Sequence, residues 1–247
     1  YSMFARIFAT LLLALPAVTM AATSNGPVLV TGATGQTGRL LVPALIEQGH
    51  SVRALIRNPA AAGSLPTGVQ SVIADVTTPA TLAAAMRGVS TVISTIGARF
   101  PIGSNGFAAV DWEGNRALID AAKSAGVSHF ILLSAGSAGK DGFPYSWSIS
   151  PYPWKAKAEV YLRASGLSYT IIAAGGLKDH PAGQQGVRLA PRAEYESGPI
   201  SRGDLAQVLA ACVGNTAALR KTITIVNSDA ITVGAWRQTL GNLPTDK

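Results

Sequence analysis

Short apolar, largely β-branched runs alternate along the chain with longer stretches of helical periodicity. The first run covers residues 27–31, and a glycine-rich turn from Gly32 to Gly38 follows it directly. A helical stretch over 39–48, stopped by Gly49, and a second apolar run over 51–56 complete a strand–helix–strand unit. The alternation goes on, with strands predicted over 69–74, 91–96, 129–133 and 168–173 and helices over 81–87, 111–125 and 154–164. A looser segment over 175–199 precedes a helix over 203–213, a strand over 222–226 and a last helix over 233–240. Near-continuous apolar strands separated by helices imply a parallel sheet covered on both faces, a Rossmann-like, doubly wound α/β fold. Neither a repeat nor a linker interrupts it. Residues 26–247 therefore read as one domain with a small C-terminal portion on the substrate side.

Composition agrees with a packed domain. Of 247 residues, 48% are hydrophobic and 13% charged, enough apolar surface for a large core and too little charge for disorder. The net charge of +7 suggests an anionic partner, but the basic residues are dispersed and no nucleic-acid-binding pattern is present, so no nucleic acid is expected. One cysteine, Cys212, excludes an internal disulfide and a cysteine-built zinc site. His50, His129 and His180 are scattered and support no metal cluster, so each reads as structural or surface.

In parallel sheets of this kind ligands bind beyond the carboxyl ends of the strands, which makes the residues after each strand the ones to read. After the first comes Gly32-Ala33-Thr34-Gly35-Gln36-Thr37-Gly38, spaced G-x-x-G-x-x-G between a strand and a helix. Small residues there permit a tight turn, close approach to a pyrophosphate and tight helix–strand packing, with backbone N–H groups of the turn facing the phosphates. After the second strand stands Arg57, where an acidic residue would bind the ribose hydroxyls of NAD. An arginine there can fork onto a 2′-phosphate, so the expected cofactor is NADP(H). Arg53, within the strand, reads as a solvated neighbour.

Three segments carry a resemblance: the glycine turn, Val52-Arg53-Ala54-Leu55-Ile56-Arg57-Asn58-Pro59, and Ala74-Asp75-Val76. They are joined by Val110-Asp111-Trp112-Glu113-Gly114-Asn115, Ala121 to Val127 and Ser165 to Ile172. The chain resembles the atypical short-chain dehydrogenase/reductases, in particular the NmrA-like NAD(P)H-binding group, from about Pro27 to Val226. That resemblance implies adenine contacts at Asp75 and Val76, ribose and pyrophosphate contacts at Ile96 and Gly97, and a nicotinamide-side loop at Gly175, Gly176 and Leu177. It implies a catalytic hydroxyl at Ser134, after the fifth strand, and a lysine at Lys155 that holds the ribose or neutralises phosphate. The Tyr-x-x-x-Lys pair of the superfamily is broken, because Pro151 stands at the tyrosine position; Tyr152, one residue off, is the candidate catalytic tyrosine if the segment before Trp154 is not helical, the alternative being a loop aromatic packed on the surface. A second departure is Ala173, where relatives commonly carry arginine. Lys157, two positions from Lys155, points to the other side of its helix.

Phe143, Tyr145, Trp147, Tyr152 and Trp154 crowd the segment after the fifth strand and offer walls for a planar, aromatic or quinone-like substrate. Packing of these rings on the domain edge is the alternative. Two functions follow: an NADP(H)-dependent oxidoreductase acting on a small apolar carbonyl or quinone-like compound, and a non-catalytic NADP(H)-binding redox sensor or regulator.

Residues 1–25 stand apart from the domain. Arg6, the apolar run 7–15 and the small-residue end at 19–22 follow the order of a secretory signal, and the apolar run is shorter than the roughly 20 residues that span a bilayer. A working signal implies a periplasmic or secreted protein; an uncleaved N-terminal helix implies a cytoplasmic one.

Overall fold

A computed structural model describes residues 26–139 and 150–246. The signal-like segment 1–25 and the aromatics Phe143, Tyr145 and Trp147 lie outside the described residues. Strand β1 (Val28–Thr31) pairs in parallel with β2 (Val52–Ile56) on one side and β4 (Thr91–Ser94) on the other, Val28 facing Val52 and Thr91. Beyond β2 lies β3 (Gln70–Ile73). Beyond β4 come β5 (His129–Ala135), β6 (Tyr169–Ala174), β10 (Lys221–Ser228) and the edge strand β8 (Gly186–Pro191).

Side chains on successive strand residues point to opposite faces, and both faces here are buried, which is why the strands read as unbroken apolar runs. Val28 and Val30 enter one core with Ile93, Ile131 and Ile172, while Leu29 enters the other with Val92, Phe130 and Ile171. Helices α1 (Gly38–Glu47) and α5 (Arg202–Ala211) cover the first face with α6 (Trp236–Asn242); α2 (Leu82–Met86), α3 (Asn115–Ser124) and α4 (Tyr152–Ala164) cover the second. The fold class is the expected one.

Three local expectations need correction. The segment 175–199 is structured: β7 (Gly176–Lys178) pairs with β9 (Pro199–Ser201), and β8 runs antiparallel to β10. These strands are short and lie among Gly and Pro, so no period shows in the sequence. The helix expected from residue 111 begins earlier as a π-helical turn, Ala108–Gly114, that runs straight into α3. Finally, α4 starts at Tyr152 rather than at residue 154. Pro153 is tolerated because the N–H it lacks is one that a first helical turn leaves unpaired anyway.

Candidate functional site

Chain order reverses between β1 and β4: from β1 the chain winds outward through β2 to β3, crosses back to β4 and winds outward the other way through β5, and such a switch point opens a crevice at the carboxyl ends. Two cavities lie along that edge, of about 530 Å³ and about 470 Å³, and both are lined by Gly35 and by residues 95–99. They are two compartments of one cleft.

The glycine turn builds the floor where they meet. Gly32 has φ of 77°, and a Cβ there would come within 2.8 Å of Thr95 Oγ1. Gly38 lies behind the turn, outside both cavities: its missing Cβ would sit 2.2 Å from the Gly32 carbonyl oxygen, so its role is helix–strand packing. Thr34 lines the first cavity, Gln36 and Thr37 the second.

The first cavity is lined by Arg57, Val76, Ile96 and Gly97. Arg57 stands at the end of β2 and donates from Nη1 to Asn105 Oδ1 at 3.1 Å. Arg53 is spent elsewhere, donating to the carbonyls of Ala85 and Arg87 at the end of α2. Asp75 does not line the cavity: its carboxylate accepts from the N–H and hydroxyl of Thr77 at 2.9 and 2.8 Å and closes its own loop.

The second cavity gathers Gly175, Gly176, Leu177, Ser134, Tyr152 and Lys155. Because α4 begins at Tyr152, that residue and Lys155 are three apart on one helix, and positions i and i+3 share a face. The broken Tyr-x-x-x-Lys spacing is thus replaced by Tyr-x-x-Lys within the first turn. Lys155 Nζ pairs with Asp111 Oδ1 at 2.8 Å, and Asp111 Oδ2 accepts from the Ala98 N–H at 3.0 Å. Asp111 is fully buried and is presented by the π-helical turn. Asn115 fastens that turn to β4, accepting from Ser94 Oγ at 2.6 Å and donating to the Asp111 carbonyl at 2.9 Å.

Ser134 is placed differently from the expectation. It lies inside β5, which continues to Ala135, and its hydroxyl donates to the buried carboxylate of Glu159 at 2.5 Å. Glu159 also takes Arg192 Nη2, and Arg163 Nη1 at 3.4 Å. Arg192 Nη1 donates to the carbonyls of Ala135 and Gly136, each at 2.9 Å, tying the segment after β8 to the end of β5. Ser134 is therefore part of an internal ionic network.

The aromatic wall is also rearranged. Tyr152 lines the cavity, whereas Lys157 lies over the rings of Trp112 and Trp154, at 4.9 and 5.5 Å, on another side of α4. Tyr195, from the segment read as loose, supplies a second ring, packed so closely on Gly136 that a Cβ there would meet it at 2.2 Å. Sequence reasoning thus missed Asp111, Glu159, Arg192, Tyr195, Ser137, Arg99 and Arg202. The one available signal was charge set among apolar residues, as at Val110-Asp111 and Ala158-Glu159-Val160.

A cleft of two compartments over the switch point, floored by a glycine turn, defines a Rossmann-like dinucleotide-binding protein. Residues 32–216 match the NAD(P)H-binding family, and the chain belongs to it. The resemblance to atypical short-chain dehydrogenase/reductases holds accordingly, and the glycine cradle and the paired cavities fit a nicotinamide dinucleotide. The chain is 36% identical over 189 residues to the uncharacterized sugar epimerase YhfK of Bacillus subtilis, covering 74% of this chain and 86% of that one. It is 33% identical over 227 residues to sanguinarine reductase of Eschscholzia californica, covering 75% and 82%. A putative NAD-dependent epimerase/dehydratase structure from Bacillus halodurans superposes with a TM-score of 0.78 at 25% identity, covering 87% of this chain and all (100%) of that one.

Proposed function

We propose that the protein is an NADPH-dependent reductase of a small carbonyl or quinone-like compound. The observation that carries this reading is the placement of Tyr152 and Lys155 one helical turn apart in the wall of the second cavity. Membership of an NAD(P)H-binding family and similarity to a reductase support it. The choice of NADPH over NADH rests on Arg57 at the end of β2, with no carboxylate among residues 56–58.

A bound nicotinamide supplies the two-electron redox chemistry. The chain supplies position and proton. Gly32, Gly35 and the turn residues Gln36 and Thr37 that lead into α1 would receive phosphate, and Arg57 would receive the additional charge on the adenosine side. Lys155 is ion-paired with Asp111, and its ammonium N–H donors can serve ribose hydroxyls. Tyr152, in the wall of the same cavity, is the group that hands a proton to a substrate oxygen.

The full-length protein tests this with NADPH, menadione and benzaldehyde. We expect Tyr152→Phe to lower kcat by about 100-fold or more with NADPH affinity unchanged. A second reading, a non-catalytic NADP(H)-binding regulator, is favoured by the engagement of Ser134 with Glu159. A protein that binds NADPH tightly and oxidises it with neither acceptor belongs to that reading.

A further inference from the structure

We propose that the substrate carries an anionic oxygen group, a carboxylate or its phosphate or sulfonate equivalent, and that Arg202 docks it. This deepens the reductase reading and rests on it for the identity of the second cavity as the substrate side. Among the described residues, that cavity is lined by three cations, Arg99, Lys155 and Arg202, and by no Asp or Glu. Two of the three are accounted for. Lys155 is neutralised from outside the cavity by buried Asp111, and Arg99 lines both compartments, which places it on the phosphate side of the cleft.

Arg202 is left, at the far wall. Its fixed position comes from its surroundings: Ser201 is held opposite Lys178 by the β7–β9 pairing, and Gly203 packs so tightly on the next loop that a Cβ would lie 2.2 Å from the Ala182 nitrogen. The guanidinium is incompletely used. Nη1 pairs with Asp179 at 2.6 Å, but Asp179 is 70% exposed, and an ion pair with one partner in water is weak. Arg202 Nε is buried and makes no hydrogen bond. The nearest carboxylate in sequence, Asp204, is already occupied by Ser201, Gly183 and Asn227. A forked arginine with spare donors, facing a cavity with no acidic group among its described lining residues, matches an oxyanion better than an apolar ring.

Two measurements on the full-length protein test the assignment. In the first, 4-carboxybenzaldehyde is compared with its neutral methyl ester under saturating NADPH. The expected result is a kcat/KM advantage of at least about tenfold for the carboxylate, lost in Arg202→Leu and partly kept in Arg202→Lys. In the second, terephthalate binding to the NADP+-loaded protein is followed by calorimetry, which needs no turnover. Wild type should bind it, Arg202→Leu at least about tenfold more weakly, and Asp179→Asn more tightly because the competing carboxylate is gone. Equal use of acid and ester, or equal terephthalate binding by wild type and Arg202→Leu, overturns the proposal while leaving the reductase reading in place. Loss of NADPH affinity in Arg202→Leu also overturns it, since the arginine would then serve the cofactor. A protein that turns over neither aldehyde yet binds terephthalate through Arg202 keeps the anion site and removes the reductase.

Discussion

The two ends of the same sheet use polar residues in opposite ways. At the amino ends of the strands the polar groups close on one another: Ser90 Oγ donates to the Gly26 carbonyl, Ser128 Oγ to the Ser90 carbonyl, and His129 Nε2 meets Thr170 Oγ1 at 2.9 Å while that hydroxyl donates to the Ala218 carbonyl. Lys221 reaches the carbonyls of Leu240 and Gly241, and Asp246 takes Tyr169 and Thr222. At the carboxyl ends the side chains are held just as firmly, but around empty volume, and they keep donors in reserve: Lys155 beside Asp111, Arg202 beside Asp179. One edge is finished as structure; the other is preorganised for something that is not protein. Polar content does not separate the two edges. What separates them is whether the hydrogen bonds close.

The largest expected effect tests how the carboxyl edge is held. Arg192→Leu removes the main partner of buried Glu159 and the clamp on Ala135 and Gly136, leaving Arg163 at 3.4 Å. Stability by denaturant unfolding should fall by about 3 kcal/mol, because an uncompensated buried carboxylate is costly. Adding Glu159→Gln should return part of that loss. A double variant no better than the single would show that Arg192 acts through packing alone.

The amino edge answers to pH instead. Burial pushes His129 down to about 4 from the ordinary 6.5. Below about pH 6.5 the unfolded chain takes up a proton that the folded chain refuses, so this group's contribution to stability is complete above 6.5 and falls as pH drops toward 4, by roughly 3 kcal/mol. Unfolding of wild type and His129→Leu between pH 7 and 4 should show a shallower slope in the variant. Cofactor affinity at pH 7 should be the same in both, since His129 opens β5 at the end remote from the cleft.

Arg57→Ala, at the cavity, reverses that pattern. NADPH binding should weaken by about tenfold to a hundredfold, NADH binding should hardly change, and the unfolding midpoint should stay, because Arg57 is exposed and, among the described residues, bonds only to Asn105. Equal loss for both cofactors would mean that the residue shapes the cavity mouth rather than reading a phosphate.

The same contrast explains how much was legible beforehand. The parallel strand–helix alternation and the glycine turn follow from period and spacing, because burial on both faces leaves an apolar signature in the central strands. Arg57, Val76 and Gly97 were reachable because they follow strand ends, and Lys155 because the family resemblance marks a lysine there. Glu159, Arg192 and Asp111 were not, since their meaning lies in pairings across 33 residues from Glu159 to Arg192 and 44 from Asp111 to Lys155, which no local pattern records. Ser134 also lines the second cavity, but its engagement by Glu159, 25 residues further on, is another pairing that no local pattern records.

Two glycines reduce the comparison to its smallest form. Gly32 and Gly49 have nearly the same backbone, with φ of 77° and 81°, a region that an L side chain enters at a cost of about 1 kcal/mol. A methyl group on Gly32 would strike Thr95 at the floor of the cleft, whereas one on Gly49 would meet nothing within 4 Å. Gly49→Ala should therefore cost about 1 kcal/mol of unfolding free energy and leave NADPH affinity unchanged, since it pays only the backbone strain of its turn. Calorimetry and denaturant unfolding on this one variant check both halves. A change in NADPH affinity would mean that strain at the amino end of β2 is transmitted along the strand to Arg57, and the two edges would then have to be treated as coupled.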